Sequence, residues 1–160
     1  MAIKEVTETH THHYLPDSAR LRSDPSYVAF TLLRTVFTIA PIIFGIDKFF
    51  NILTEWTAYL APWINNLVPG DASTDMKMVG VIEIIAGLVV WFAPRWGGYL
   101  VALWLAGIII NLLTLSGYYD VALRDFGLFV AALALVSLSR VHDVPASRAH
   151  ELPASSASHE

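Results

Sequence analysis

The 160-residue chain is 55% hydrophobic and only 15% charged, with a formal net charge of −4 and no cysteine. That balance is too apolar for a soluble domain of this length and marks an all-α integral membrane protein. The acidic net charge and lack of a basic face exclude nucleic acid as a partner, and without a thiolate the chain cannot itself carry out thiol–disulfide exchange or hold an iron–sulfur cluster.

In chain order, residues 1–26 are polar and mixed in charge, which predicts a disordered tail with no cleavable signal peptide. His10, His12 and His13 cluster there. Imidazole is a common ligand for zinc, copper and nickel, but histidines in a flexible tail are more often incidental, so no metal site is assigned. Residues 142–160, rich in Ala, Ser, Pro and His, read as a second disordered tail.

Residues 27–141 form the membrane domain, expected to be a four-helix bundle. The spans are placed at about 27–53, 75–92, 96–118 and 121–141, each near the roughly 20 residues that cross a hydrocarbon core. An even number of spans returns both tails to one side. Arg20, Arg22, Arg95, Arg140 and Arg148 fall on that side, against Lys48, Lys77 and Arg124 on the other. The imbalance predicts cytoplasmic termini and, with the family resemblance below, a multi-pass protein of the bacterial inner membrane.

Between the first two spans, Trp56, Leu60, Trp63 and Leu67 recur at spacings of four, three and four. They share one face of a short amphipathic helix at about 54–68, with Trp56, Tyr59 and Trp63 as interfacial anchors and Pro62 as a bend. The other reading of this segment is a lid packed on the end of the bundle. Small residues mark helix contacts: Gly98, Ala102 and Ala106 on the third span, Gly127 and Ala131 on the fourth, and Gly80 and Gly87 on either side of Glu83.

Glu83 stands in the otherwise uncharged run Val79–Phe92. A carboxylate at that depth in lipid is costly and normally has a partner or a function. Arg34 is seven residues beyond Tyr27, about 10 Å in, and Glu83 is nine residues from Phe92, about 14 Å in, so an Arg34–Glu83 ion pair is expected. Nearer the opposite face, Asp47, Lys48, Asn111, Tyr118, Arg124 and Asp125 are candidates for a ligand or quinone pocket. The charged members also read as residues snorkelling to headgroups.

The series Leu33-Arg34, Gly45-Ile46-Asp47-Lys48-Phe49 and Gly80-Val81-Ile82-Glu83-Ile84-Ile85-Ala86-Gly87 resembles the DoxX-like family of small membrane proteins over about residues 27–141. The resemblance implies a four-helix membrane bundle in a redox setting: quinone-linked sulfur oxidation, terminal oxidases, and complexes that handle oxidative or thiol stress. With no histidine inside the spans, haem ligation is not expected. No set of nucleophile and base can be assembled by spacing, so no catalytic residue is assigned and the chain is not expected to be an enzyme by itself. Three roles follow: an accessory or quinone-associated subunit of a membrane redox or respiratory system, small-solute or proton transport as a homo-oligomer, and a structural scaffold. The expected partners are the lipid bilayer and either other membrane proteins or further copies of the chain.

Overall fold

The computed structural model describes residues 16–65, 71–115 and 117–142. The His10, His12 and His13 cluster, Leu67 and Arg148 lie outside the described residues. The helices are α1 (Ser18–Ser23), α2 (Pro25–Asp47), α3 (Pro62–Asn65), α4 (Ala72–Phe92), α5 (Pro94–Leu113) and α6 (Tyr119–His142), with a 3₁₀ turn at Trp56–Tyr59 before α3. No strand occurs among the described residues.

Local chemistry sets the helix ends. Asp24 accepts from the backbone N–H groups of Ser26 and Tyr27, and Pro25 takes the first helical position, where its missing N–H is no loss. Hydrogen bonds from the Ser26 hydroxyl and the Tyr27 amide hold the Asp24 carboxyl below its usual range. Asp71 caps α4 through the N–H of Thr74. Pro94 opens α5 immediately after Ala93, which keeps the α4–α5 turn short. After α2, Asn51 reverses the chain with φ of 51°, and Gly117 does so between α5 and α6 with φ of 96°. Both are residue types that tolerate the left-handed region.

Four long helices make a ring of antiparallel neighbours. α2 packs most extensively on α4, and α5 on α6, while α4–α5 and α2–α6 close the ring. The ends of α2 and α6 meet: Ser26 Oγ is 2.9 Å from His142 Nε2, and the Tyr27 and Phe30 rings lie 5.5 and 5.6 Å from the His142 ring. This end is called the termini end below. The opposite end, covered by the Trp56–Asn65 segment, is the cap end.

The α2–α4 contact depends on glycine. A Cβ on Gly45 would lie 2.5 Å from the Gly80 carbonyl oxygen, one on Gly80 would lie 2.6 Å from the Gly45 carbonyl oxygen, and one on Gly87 would lie 2.7 Å from the Thr38 carbonyl oxygen. The two backbones therefore touch across three missing side chains. On α5, Gly98 and Ala102 are buried, and Gly98 faces Ala132 and Val136 of α6. Gly127 is not part of this seam: nothing would meet a side chain placed there. The contact face of α6 is one turn further on, at Ala132, Leu135 and Val136.

Burial is inverted relative to a water-soluble bundle. Leu32, Phe92, Leu103 and Leu123 are each more than 60% exposed, while Asp47, Lys48, Asp75, Glu83 and Asn111 are buried. α2, α5 and α6 are long and apolar enough to cross a membrane. α4 is comparable in length but carries three charged residues, Asp75, Lys77 and Glu83. The helical boundaries also differ from expectation at the ends. α2 stops at Asp47 because Lys48–Asn51 turn back on the bundle, and α1 orders part of the tail because Asp17 caps it through Ala19.

Candidate functional site

Glu83 pairs with Lys48. The Lys48 ammonium lies 2.6 Å from Glu83 Oε2, and both side chains are at most 10% exposed. The same ammonium sits 3.7 Å from the centre of the Trp56 ring, which adds cation–π attraction in a dry site. Trp104 on α5 brings its indole N–H toward the Glu83 carboxylate without completing a hydrogen bond. Three elements, α2, α4 and α5, therefore converge on one carboxylate.

The expected Arg34–Glu83 pair is corrected by this register. Arg34 donates to the carbonyl of Trp91 and lies over the Trp91 ring at 4.8 Å. Trp91 is eight residues beyond Glu83, about 12 Å along the helix, too far for the Arg34 side chain to share the carboxylate. Arg34 and Glu83 stand at matching depth only if Tyr27 and Phe92 stand level at the same boundary. In the packed bundle it is Arg34, seven residues further on, that stands beside the end of α4. The opposing-charge signal in the sequence was sound, but three contacting glycines set the register, and hydropathy does not encode it.

Asp47 and Asn111 hold the cap. Asp47 accepts from the backbone N–H groups of Ile52 and Leu53 at 3.1 to 3.2 Å and from Trp56 Nε1 at 2.7 Å. Asn111 uses both ends of its amide: Oδ1 accepts from the Ala61 N–H at 2.9 Å, and Nδ2 donates to the Tyr59 carbonyl at 2.6 Å. These bonds satisfy a non-helical stretch of backbone at the end of the bundle, where unpaired groups would be costly. Trp63 adds a bond from its indole N–H to Thr114 Oγ1 at 3.0 Å, and the Tyr59 and Tyr118 rings pack 5.0 Å apart.

The six candidates for a ligand pocket are thus divided among other tasks. Asp47, Lys48 and Asn111 are buried in tertiary contacts, and Tyr118 packs against Tyr59. Arg124 is exposed and pairs with Asp120 one turn earlier at 2.6 Å. Asp125 is half-buried on α6 with no hydrogen bond to the other five. The expectation of one polar pocket is not met, because the cap backbone takes up the hydrogen-bonding capacity of Asp47 and Asn111. The single amphipathic helix at about 54–68 is also replaced over its described part: the Trp56–Tyr59 turn ends at Leu60, and Pro62 starts α3. Trp56 serves the Asp47–Lys48 site, while Trp63 is half exposed.

One buried acid was not singled out by sequence. Asp75, in the first turn of α4, is 4% exposed, and neither carboxylate oxygen has a hydrogen-bond partner among the described residues. The signal that could have found it is spacing: Asp75, Val79 and Glu83 follow at intervals of four, which puts both carboxylates along one stripe.

A shallow apolar groove of about 280 Å³ lies between α5 and α6, lined by Ile109, Leu113, Tyr119, Ala122, Leu123 and Phe126. Among the described residues no group of three or more His, Cys, Asp or Glu side chains is placed to hold a metal. No protein family, curated protein or solved structure matches the chain.

Proposed function

We propose that the chain is a four-span protein of the bacterial inner membrane that serves as an accessory subunit of a membrane redox or respiratory system, docking partner proteins rather than catalysing a reaction. The observation that carries this reading is the use of the inward polar groups. Asp47, Lys48, Glu83 and Asn111 are committed to holding helices and cap together, and an apolar outer surface remains for lipid and for neighbouring membrane proteins.

Chain direction supports four crossings. α2 begins and α6 ends at the same end of the bundle, and α5 and α6 are antiparallel neighbours joined by a short turn. α2 and α5 therefore run the same way, and the chain must return between them. α4 is the long helix that makes the return, and its most buried charge is neutralised by Lys48. Arg20, Arg22, Arg95 and Arg140 lie toward the termini end, which favours a cytoplasmic location for that end. Lys48 does not count toward the other side, since it is buried in the ion pair.

The redox setting rests on the resemblance to the DoxX-like family at Arg34, Gly45–Phe49 and Gly80–Gly87. The geometry favours docking over quinone binding, because the α5–α6 groove offers only the Tyr119 hydroxyl to engage a quinone head group. Purification from native membranes in mild detergent, with mass spectrometry of bound proteins and lipids, tests the reading. Stoichiometric recovery of redox membrane subunits is expected. Recovery of the chain with lipid alone, across several detergents, would sink it. A quinone detected at stoichiometric level would reinstate the ligand-holding role.

A further inference from the structure

We infer that Asp75 is the binding group of a site for a small monovalent cation at the cap end of the bundle. The charge balance of the buried set is the starting point. Among the described residues, the buried ionisable groups at this end are Asp47, Asp75 and Glu83 against Lys48 alone. Glu83 is neutralised by Lys48, and Asp47 is satisfied by two backbone N–H groups and an indole. Asp75 receives none of this: both of its oxygens are buried and accept no hydrogen bond.

A buried carboxylate without donors is among the costliest arrangements in a protein interior, and each such group calls for an explanation, of which a bound ion is one. A cation satisfies both oxygens at once. One carboxylate balances a single positive charge, which selects a monovalent ion over a divalent one.

The surroundings fit entry from the cap end. Asp75 is in the first turn of α4, beyond Gly80, and Lys48 stands opposite Gly80: its Cβ would lie 3.2 Å from a Cβ added there. Lys48 is therefore level with the stretch between Asp75 and Glu83, and its ammonium is turned to Glu83. Lys77, the nearest cation along α4, is exposed. The Trp56–Tyr59 turn packs against α4 and covers this end, held by Asp47 and Asn111.

The test is thermal unfolding of the purified full-length protein in detergent, in sodium chloride or potassium chloride, against N-methylglucamine chloride at equal ionic strength. Binding to the folded state alone lowers the unfolding equilibrium constant about a hundredfold when the ion is at about 100 times its Kd. The wild type is expected to show a saturable rise in melting temperature with sodium or potassium. Asp75→Asn is expected to lose that response and to be at least as stable as wild type without the ion. Equal wild-type stability in all three salts overturns the proposal, as does a response that survives in Asp75→Asn. If Asp75→Asn does not fold, sodium NMR of the wild type decides: line broadening reversed by excess potassium supports the site, and no broadening overturns it.

Discussion

Lys48, just past the end of α2, and Glu83, at the middle of α4, are joined by a 2.6 Å ion pair with the Trp56 ring over the ammonium. The pair ties the α2–α4 contact to the cap. Breaking it from one side leaves a buried charge unpaired. Lys48→Met or Glu83→Gln is expected to cost about 3–5 kcal/mol, with Lys48→Met the worse of the two because the ammonium left by Glu83→Gln keeps the Trp56 ring, whereas the carboxylate left by Lys48→Met loses its ammonium donor. The double variant Lys48→Met with Glu83→Gln should recover most of that loss. Unfolding in a denaturing detergent series measures all three, and additive losses in the double variant would refute the coupling.

Glycine positions give a sharper contrast. Gly80→Ala drives a methyl group to 2.6 Å from the Gly45 carbonyl oxygen, a backbone atom that cannot step aside. It is expected to destabilise by about 1–3 kcal/mol through overpacking. Gly107 and Gly127 face open space, so Gly107→Ala and Gly127→Ala should be neutral or stabilising by up to about 1 kcal/mol from helix propensity. The same unfolding measurement separates the two groups.

Sequence patterning made the long apolar helices legible, because lipid requires long apolar runs and these are local properties. It also marked Glu83 as a charge needing a partner. It does not identify Lys48 as that partner, because the register of α2 on α4 cannot be read from hydropathy or from depth counted along each span. The decisive contacts, Gly45 with Gly80 and Gly87 with Thr38, are pairwise and long-range. The cap shows the same limit. Tryptophan spacing predicts an interfacial helix, but the amides and carboxylates that fold the segment onto the bundle, Asp47 and Asn111, come from other helices. The burial of Asp75 arises from packing and not from its neighbours in sequence.

Asn111 should control the cap. Asn111→Leu removes the acceptor for the Ala61 N–H and the donor to the Tyr59 carbonyl, leaving two backbone groups without their partners. Each such loss costs about 1–3 kcal/mol when the group stays buried. The expected result is faster amide hydrogen exchange across 52–61, with the exchange of α5 and α6 near the termini end unchanged. Trp63→Phe, which removes only a half-exposed bond to Thr114, should have a much smaller effect. Uniform acceleration over the whole chain in Asn111→Leu would mean that Asn111 stabilises the bundle as a unit.

Topology is open to direct test, and the absence of native cysteine simplifies it. Single substitutions Ser18→Cys and Arg95→Cys lie at the termini end, whereas Ser73→Cys and Thr114→Cys lie at the cap end; all four positions are exposed. If α4 crosses the membrane, a membrane-impermeant thiol reagent added to intact cells should modify Ser73→Cys and Thr114→Cys and spare the other two. Inside-out vesicles should give the reverse pattern. The informative position is Ser73, because it lies in the first turn of α4 while Arg95 follows the helix, so opposite labelling of these two means that α4 traverses the bilayer. Equal labelling of Ser73→Cys and Arg95→Cys would leave three crossings. The shared end of α2 and α6 would then have to be broken, and the Ser26–His142 contact could not form in the membrane.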